Sequence, residues 1–430
     1  MQKYDSYKDS GVQWLGEIPK HWNMLPGRVL FQENKSKNDG GDRNVLSLSY
    51  GKIIAKKDTN EGLVPAEYTN YQIINPGYIV VRCTDLQNDK VSLRTAVSDL
   101  EGIITGAYLG LVPHKSVNSY FLHYLLRTWD NCKELYRYGS GLRQSLSWID
   151  FKYLLLPVPP IEEQQAIAAY LDEQTAKIDT AIAQQQKMID LLNERKQIII
   201  NNAVTKGLNP NVKMKDSGVK WIGEVPEHWE IKKLKHVCKA YGRIGFRGYS
   251  ITDLVDEGEG CITLSPSNMR EGRMKYDKCT YLSWEKYEES PEIKINNGDI
   301  LFVKTGSTYG KCSLVHELPI EATINPQLLV FKDIQCNNIY LTNILQTSLI
   351  KSQVEITVIG GTIPTISQSK ILNYMFPYAP ISEQEEIVTF IDRTSEPINA
   401  AIKTAEQQIA LLQERKQIII NDVVTGKVKV

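Results

Sequence analysis

The sequence offers no apolar run of membrane-spanning length, and its start, Met1-Gln-Lys-Tyr-Asp-Ser-Tyr-Lys8, has no apolar signal core. A soluble cytoplasmic chain without membrane contact is therefore expected. The seven cysteines are odd in number and contain no Cys-x-x-Cys, which argues against a disulfide framework and for a reduced compartment. Net charge is absent too, with 50 Lys and Arg against 50 Asp and Glu, so bulk electrostatics neither attracts nor repels a polyanion. Locally, residues 23–157 hold 16 basic against 13 acidic side chains and residues 161–206 hold 5 against 7, a mild support for nucleic-acid contact. The six histidines are scattered, and His236 with Cys238 has no second ligand pair nearby, so no metal site is expected.

Catalytic motifs are missing as well. An amino-group methyltransferase would carry Asn/Asp-Pro-Pro-aromatic, whereas the Pro-Pro here lies in Val158-Pro-Pro-Ile161 and Asn325-Pro-Gln lacks the second proline. Gly242-Arg-Ile-Gly-Phe-Arg-Gly248 has no clear strand before it and no helix after it, and reads as a turn. Gly306-Ser-Thr-Tyr-Gly-Lys-Cys312 is one residue short of a P-loop and ends in Cys where a Mg²⁺-binding hydroxyl is required. Glu292-Ile-Lys294 has the Glu-x-Lys of some nucleases, a triplet common by chance. No catalytic residue is assigned.

What the chain does have, it has twice. Leu191-Leu-Asn-Glu-Arg-Lys-Gln-Ile-Ile-Ile-Asn201 returns 220 residues later as Leu411-Leu-Gln-Glu-Arg-Lys-Gln-Ile-Ile-Ile-Asn421. Each copy closes a helical pattern that opens at a Pro-flanked Ile-x-Glu-Gln, at Ile161 and at Ile381. Apolar residues recur every seven, with Ile178, Leu192 and Ile199 on one line and Ile182 and Ile189 on a second. Ile398, Leu412 and Ile419, with Ile402 and Ile409, repeat the arrangement in the second copy. A 3.5-residue repeat held this long predicts a coiled coil rather than a globular surface helix. From 161 to 203 such a helix extends roughly 65 Å. Glu162 and Glu163 suit its N-terminal dipole, and Gly207 and Gly426 stand just past the two ends. Lys196 and Lys416 fall on an apolar line, where they are expected to snorkel beside Glu194 and Glu414.

Lys8-Asp-Ser-Gly-Val-Gln-Trp-Leu-Gly-Glu-Ile-Pro-Lys-His-Trp22 returns as Lys215-Asp-Ser-Gly-Val-Lys-Trp-Ile-Gly-Glu-Val-Pro-Glu-His-Trp229, at an offset of 207. The offset grows to 220 by the helices, so the second half carries 13 extra residues in its divergent middle. Trp14, Trp22, Trp221 and Trp229 are read as core anchors for these segments. Within the divergent stretches, 23–156 and 230–376, short β-branched and aromatic runs at 78–81, 110–113, 300–303 and 328–331 predict strands, and apolar spacing predicts short helices at 120–129 and 340–349. The fold class is α+β, with two α/β units in tandem pseudo-repeat, each followed by a long helix. The expected parts are 1–158, 159–207, 208–378 and 379–430. Only 208–214 separates the first helix from the second unit, a connection short enough to favour antiparallel helices.

These doubled segments, the Pro157-Val-Pro-Pro-Ile-Glu-Glu-Gln164 stretch and the Leu-Leu-x-Glu-Arg-Lys-Gln helices resemble the specificity (S) subunit of type I restriction-modification systems along the whole chain. The resemblance implies two target recognition domains, each reading half of a split double-stranded DNA site, and an antiparallel coiled coil that sets the unread gap. On that pattern, four residues inserted near Ala183 lengthen the gap and leave both half-sites unchanged. It implies no catalysis and no cofactor in this chain. Two modification (M) subunits, binding S-adenosylmethionine, supply adenine methylation, and restriction (R) subunits, using ATP and Mg, supply cleavage. The Glu-Arg-Lys-Gln surface then becomes a candidate dock for the M subunits. Gly298-Asp-Ile-Leu-Phe-Val-Lys-Thr-Gly-Ser-Thr-Tyr-Gly-Lys311 is similar to a strand and loop that the family places near DNA, and Arg82-Cys-Thr-Asp-Leu-Gln-Asn-Asp-Lys90 takes that position in the first unit without its glycines. Lys304, Lys311, Arg82 and Lys90 are candidate phosphate holders, and Gln87, Asn88, Ser307 and Thr308, with neighbouring Tyr309, are candidate base readers. A second candidate loop carries Arg143, Gln144 and Ser145, matched by Thr362 and Thr365. For each the alternative is a solvated loop residue. The rival functions are a specificity chain serving a fused methylase-nuclease, a self-sufficient DNA methyltransferase or nuclease with drifted motifs, and a purely structural coiled-coil protein.

Overall fold

The computed structural model describes residues 2–41, 43–56, 68–84, 93–137, 145–243, 245–270, 273–359 and 363–430. The chain divides into two compact units that are not consecutive in sequence. Unit 1 joins Met1–Gln186 with Glu406–Val430, and unit 2 is Lys187–Ala405.

The central sheet of unit 1 is antiparallel, in the order Phe31–Glu33, Leu109–Pro113, Ile79–Val81, Thr95–Val97. That of unit 2 runs Lys239–Gly242, Leu328–Lys332, Ile300–Val303, Cys312–Leu314, again antiparallel. Order and sense coincide, so the divergent middles share one architecture. Each central strand is apolar on both faces because two cores flank the sheet. Ile300 and Phe302 point to a core shared with Tyr340, Leu341 and Ile344 of the helix Asn338–Leu345. Leu301 and Val303 point the other way, to Ile262, Leu264 and Ile324. In unit 1, Ile79 and Val81 meet Phe121, Leu122 and Leu125 of the helix Ser119–Asn131, while Val80 joins Leu46, Ile74 and Ile104.

The expected strands are found within one residue of their predicted bounds. The second short helix is a correction. The stretch 340–349 is split into Asn338–Leu345 and Ser348–Thr357, because Thr347 leaves the helical region and caps the next helix by accepting from Ile350 N. Beside its central sheet, unit 2 has a second sheet, in which Gly260–Leu264 pairs in parallel with Ala322–Ile324, and a hairpin of Met269–Arg270 with Arg273–Met274.

The long helices are Ile161–Lys206 and Ile381–Val424. Each ends before a glycine in the left-handed region, Gly207 at φ +75° and Gly426 at φ +76°. In unit 1 the first half of one helix packs on the last turns of the other: Ile167, Leu171 and Ile178 share a core with Ile419, Ile420, Val423 and Val424. In unit 2, Ile200, Ala203 and Val204 share a core with Ile387, Val388 and Ile391. Ascending residues of one helix meet descending residues of the other, the antiparallel arrangement. Of the seam residues, Ile178, Ile189, Ile398 and Ile419 are buried, and Ile182, Leu192, Ile199, Ile402, Ile409 and Leu412 are partly buried. Ile200 and Ile420, one position off the seven-residue line, are buried as well, since there the helix turns a second face to its own unit.

Candidate nucleic-acid interface

The repeated motifs build the frame that presents the loops. Trp22 and Trp229 are completely buried, each burial contributing about 2–3 kcal/mol. Their indole Nε1 atoms donate to Glu163 and Glu383 at 3.1 and 3.0 Å, and the preceding His21 and His228 reach the same carboxylates at 2.8 and 2.6 Å. The next residue of each helix, Gln164 or Gln384, is buried between two backbones. Gln164 accepts from Asn118 N at 2.8 Å and donates to Pro159 O, and Gln384 accepts from Asn337 N at 2.9 Å and donates to Ala379 O. Asn118 and Asn337 are the N-caps of the short helices beneath each central sheet. The Ile-x-Glu-Gln motif thus does more than start a helix. It clamps the repeated His-Trp with one side chain and the sheet-supporting helix with the next. Trp14 is partly buried against the same core, whereas Trp221 is half exposed and anchors nothing comparable.

The Glu-Arg-Lys-Gln copies resolve letter by letter. The Gln faces its unit: Gln197 donates to Gln346 O at 3.2 Å, and Gln417 accepts from Asn131 Nδ2. The Lys crosses to the other helix, which corrects the expectation that it snorkels beside Glu194 or Glu414. Lys196 donates to Asn399 Oδ1 at 2.8 Å, and Lys416 to both Asp179 carboxylate oxygens at 2.6 and 2.7 Å. A seam lysine finds an acceptor within reach across the helix pair, so its ammonium has no need to travel to the helix end. Each contact joins the two long helices within its own unit. Glu194, Arg195, Glu414 and Arg415 stay exposed, as do Leu191, Ile198, Leu411 and Ile418 at 50–64%.

The described ends of the two candidate loops are joined in each unit. In unit 2, Ile366 N donates to Lys304 O at 2.9 Å, Gly306 N donates to Pro364 O at 3.0 Å, and Thr365 Oγ1 lies 3.3 Å from Thr305 Oγ1. In unit 1, Leu146 N donates to Cys83 O at 3.0 Å, the equivalent junction, which places exposed Ser145 beside the strand end. Gly306 and Gly310, at φ +106° and +82°, let the unit 2 loop double back tightly, a path closed to residues with a Cβ. Ser307 and Thr308 are exposed at its tip. Lys304 is half buried without a side-chain acceptor among the described residues, and burial draws its ammonium below the usual lysine range. Lys311 instead donates to Met269 O and is held in the fold, and Tyr309 packs on the core. Arg82, partly buried, follows its strand, where Arg94 holds the backbone. Arg94 is itself fully buried, and its Nη1 donates to Arg82 O and Thr84 O at 3.3 and 2.8 Å. Gln87, Asn88, Lys90, Arg143, Gln144 and Thr362 lie outside the described residues. Asn325 and Gln327, overlooked in the sequence, belong to this surface: Gln327 O accepts from Lys304 N at 2.9 Å, and the side chains of partly buried Asn325 and exposed Gln327 bond each other at 3.1 Å. Their only sequence signal was an Asn-Pro turn.

Among the described residues no group of three or more His, Cys, Asp or Glu is placed to hold a metal ion, and no helix is long and apolar enough to cross a membrane. Exposed hydroxyls and amides, a desolvated lysine and backbone braced from beneath can hydrogen-bond base edges and phosphates.

Known proteins carry the same pattern. Residues 226–411 match the family of type I restriction modification DNA specificity domains. The type I restriction enzyme MjaVIII specificity subunit of Methanocaldococcus jannaschii is 25% identical over 77% of this chain and 75% of its own length. The putative type I restriction enzyme MjaX specificity subunit of the same organism is 25% identical over 97% and 96%. The EcoKI specificity subunit of Escherichia coli is 24% identical over 52% and 47%. A solved chain from work on complex assembly and conformational transition of the type I R-M system shares the fold, with a TM-score of 0.67 at 16% identity, over 96% of this chain and 99% of that one. Repeated motifs, matched domain, near full-length relative and shared fold agree: the chain carries a type I restriction modification DNA specificity domain at 226–411 and is similar along nearly its whole length to type I restriction enzyme specificity subunits.

Proposed function

We propose that this chain reads a bipartite double-stranded DNA site, one half with each unit, and that the antiparallel long helices fix the unread gap between the halves. The observation that carries this reading is the pairing of sameness with difference. Two units have one sheet order and one set of clamps, yet unlike loops at the same place. Two readers of one build suit two half-sites of different sequence.

The chain performs no chemistry in this reading and needs no cofactor. Methyl transfer from S-adenosylmethionine falls to two M subunits, and ATP- and Mg-dependent cleavage to R subunits, all in the cytoplasm. The duplicated exposed apolar pairs, Leu191 with Ile198 and Leu411 with Ile418, support a partner present in two copies. The test is long-read methylation mapping of cells that express the chain with its M partner, against cells lacking only the chain. A split adenine-methylated motif that vanishes in the control is the expected result. Methylation that is unsplit, or independent of the chain, overturns the reading, as does methyl transfer by the purified chain alone.

A further inference from the structure

Gln327 stands where the described ends of the two candidate loops of unit 2 are joined. Its carbonyl accepts from Lys304 N at 2.9 Å and from Thr305 N at 3.3 Å. The same strand end is tied to the second loop, since Gly306 N donates to Pro364 O and Lys304 O accepts from Ile366 N. Gln327 enters from the turn Asn325-Pro-Gln-Leu328, closed by Leu328 N donating to Asn325 O at 3.2 Å. Pro326 fixes φ at the second position of that turn. On the far side Asn325 N donates to Leu264 O of the second sheet at 2.9 Å. The backbone beneath Gln327 is thus pinned from both sides.

The side chain is pinned as well, and its hydrogen bonds leave it one orientation. The Gln327 backbone N–H can only donate, so the Asn325 atom that meets it at 3.0 Å is the acceptor, Oδ1. Nδ2 of Asn325 is therefore the donor, and the Gln327 atom that it meets at 3.1 Å is Oε1. Nε2 lies over Gly306, 3.3 Å from the point where a Cβ would stand, so the glycine leaves room for the amide. Exposed Gln327 keeps the Nε2 hydrogens and the second lone pair of Oε1 for a ligand.

We propose that Gln327 reads an adenine in the half-site of unit 2, with Nε2 donating to N7 and Oε1 accepting from the N6 amino group, and that Asn325 is the positioning residue that holds the amide for it. This rests on the DNA-reading function proposed above. Adenine is selected by pattern, because in the major groove it sets an acceptor beside a donor on one base, whereas guanine sets two acceptors there and would face the Oε1 lone pair with one of them. Unit 1 is built differently at this point. Leu109 lies opposite Val81 as Leu328 lies opposite Val303, so Tyr108 takes the place of Gln327 and Gly106 that of Asn325. Unit 1 has neither amide there, and the adenine preference belongs to unit 2 alone.

The test uses the full chain with its modification partner and measures affinity for a duplex carrying its split site and for duplexes changed at one base pair at a time. The parent is expected to lose roughly five- to 150-fold when one particular A·T pair is changed. In Gln327→Ala that pair ceases to matter while every other position keeps its preference. Gln327→Glu keeps the shape and the bond from Asn325 but replaces the donor, so it loses the same preference and serves should the alanine variant not fold. Asn325→Asp leaves Gln327 in place but has no hydrogen for Oε1, which turns the amide over and relaxes the same pair. The added carboxylate weakens all duplexes by a common factor, which cancels in the ratio. Parental base preferences in both Gln327 variants, or relaxation at a G·C pair, overturn the adenine contact. Parental preferences in Asn325→Asp overturn its positioning role. A parent complex with no preference for a split site instead refutes the reading function, and the adenine contact falls with it.

Discussion

His123 sits on the inner face of the helix Ser119–Asn131, 8% exposed, with Nδ1 unpartnered among the described residues. Burial, helped by nearby Arg127, pushes its pKa down to about 3. The unfolded chain binds a proton there below about pH 6.5 while the folded chain does not. Stability therefore falls with pH across the window from about 6.5 to 3. Replacing His123 with Phe should remove that slope, so that denaturant midpoints of parent and variant measured at pH 7.5 and 5 diverge at the lower pH only. A parent with equal stability at both values contradicts the assignment. Gln164 gives a second expectation. Gln164→Leu leaves the Asn118 N–H and Pro159 O buried without partners and should cost about 2–3 kcal/mol by urea unfolding. An effect below about 0.5 kcal/mol, the level of an ordinary surface substitution, would mean the clamp is incidental. Neither role was legible in the sequence. Periodicity marks the side of a helix that is covered, but Gln164 and Glu163 are defined by donors 46 and 159 residues away, and no local pattern encodes those. Lys196 and Lys416 show the same limit, for the heptad placed them on the seam and could not say that an acceptor waited across it.

Helices and strands were easier to read, because their causes are local. The strands at 300–303 and 328–332 carry unbroken apolar runs between turn residues, and the long helices have a seven-residue repeat with glycines at their ends. Pro397 is the exception. It lies inside Ile381–Val424, where the first long helix has Lys177, and the chain stays helical through it. A proline there lacks the N–H that would bond four residues back and crowds that carbonyl. Pro397→Lys should raise unfolding stability by about 1–3 kcal/mol. A lower melting temperature would mean that the helix path needs the proline. Gly426 is constrained in the opposite direction. A Cβ there would collide with Pro19 Cδ in a left-handed backbone, so Gly426→Ala should loosen the grip of the second helix end on the repeated segment.

For the whole molecule, the doubled motifs disclosed the tandem repeat directly, while the loops that distinguish the two halves carry no periodicity and gave only candidate residues. The division into units adds what the order of segments hid. The junctions at 186/187 and 405/406 fall on opposite senses of the two helices. Seven residues inserted at both junctions preserve the seam and lengthen each helix by about 10 Å. If the helices set the gap, the methylated motif should gain about three unread base pairs at 3.4 Å each, with both half-sites unchanged. An unaltered spacer in methylation maps would dismiss the ruler.

The same division governs how the protein comes into being. Unit 2 is one uninterrupted stretch, whereas unit 1 needs residues 406–430, and Gln2 pairs with Lys429. During synthesis every residue of unit 2 leaves the ribosome before the strip that completes unit 1. The later-made half is thus the first able to close, and in the earlier-made half the face that receives Ile419, Ile420 and Val423 stays uncovered until residues 406–430 have emerged.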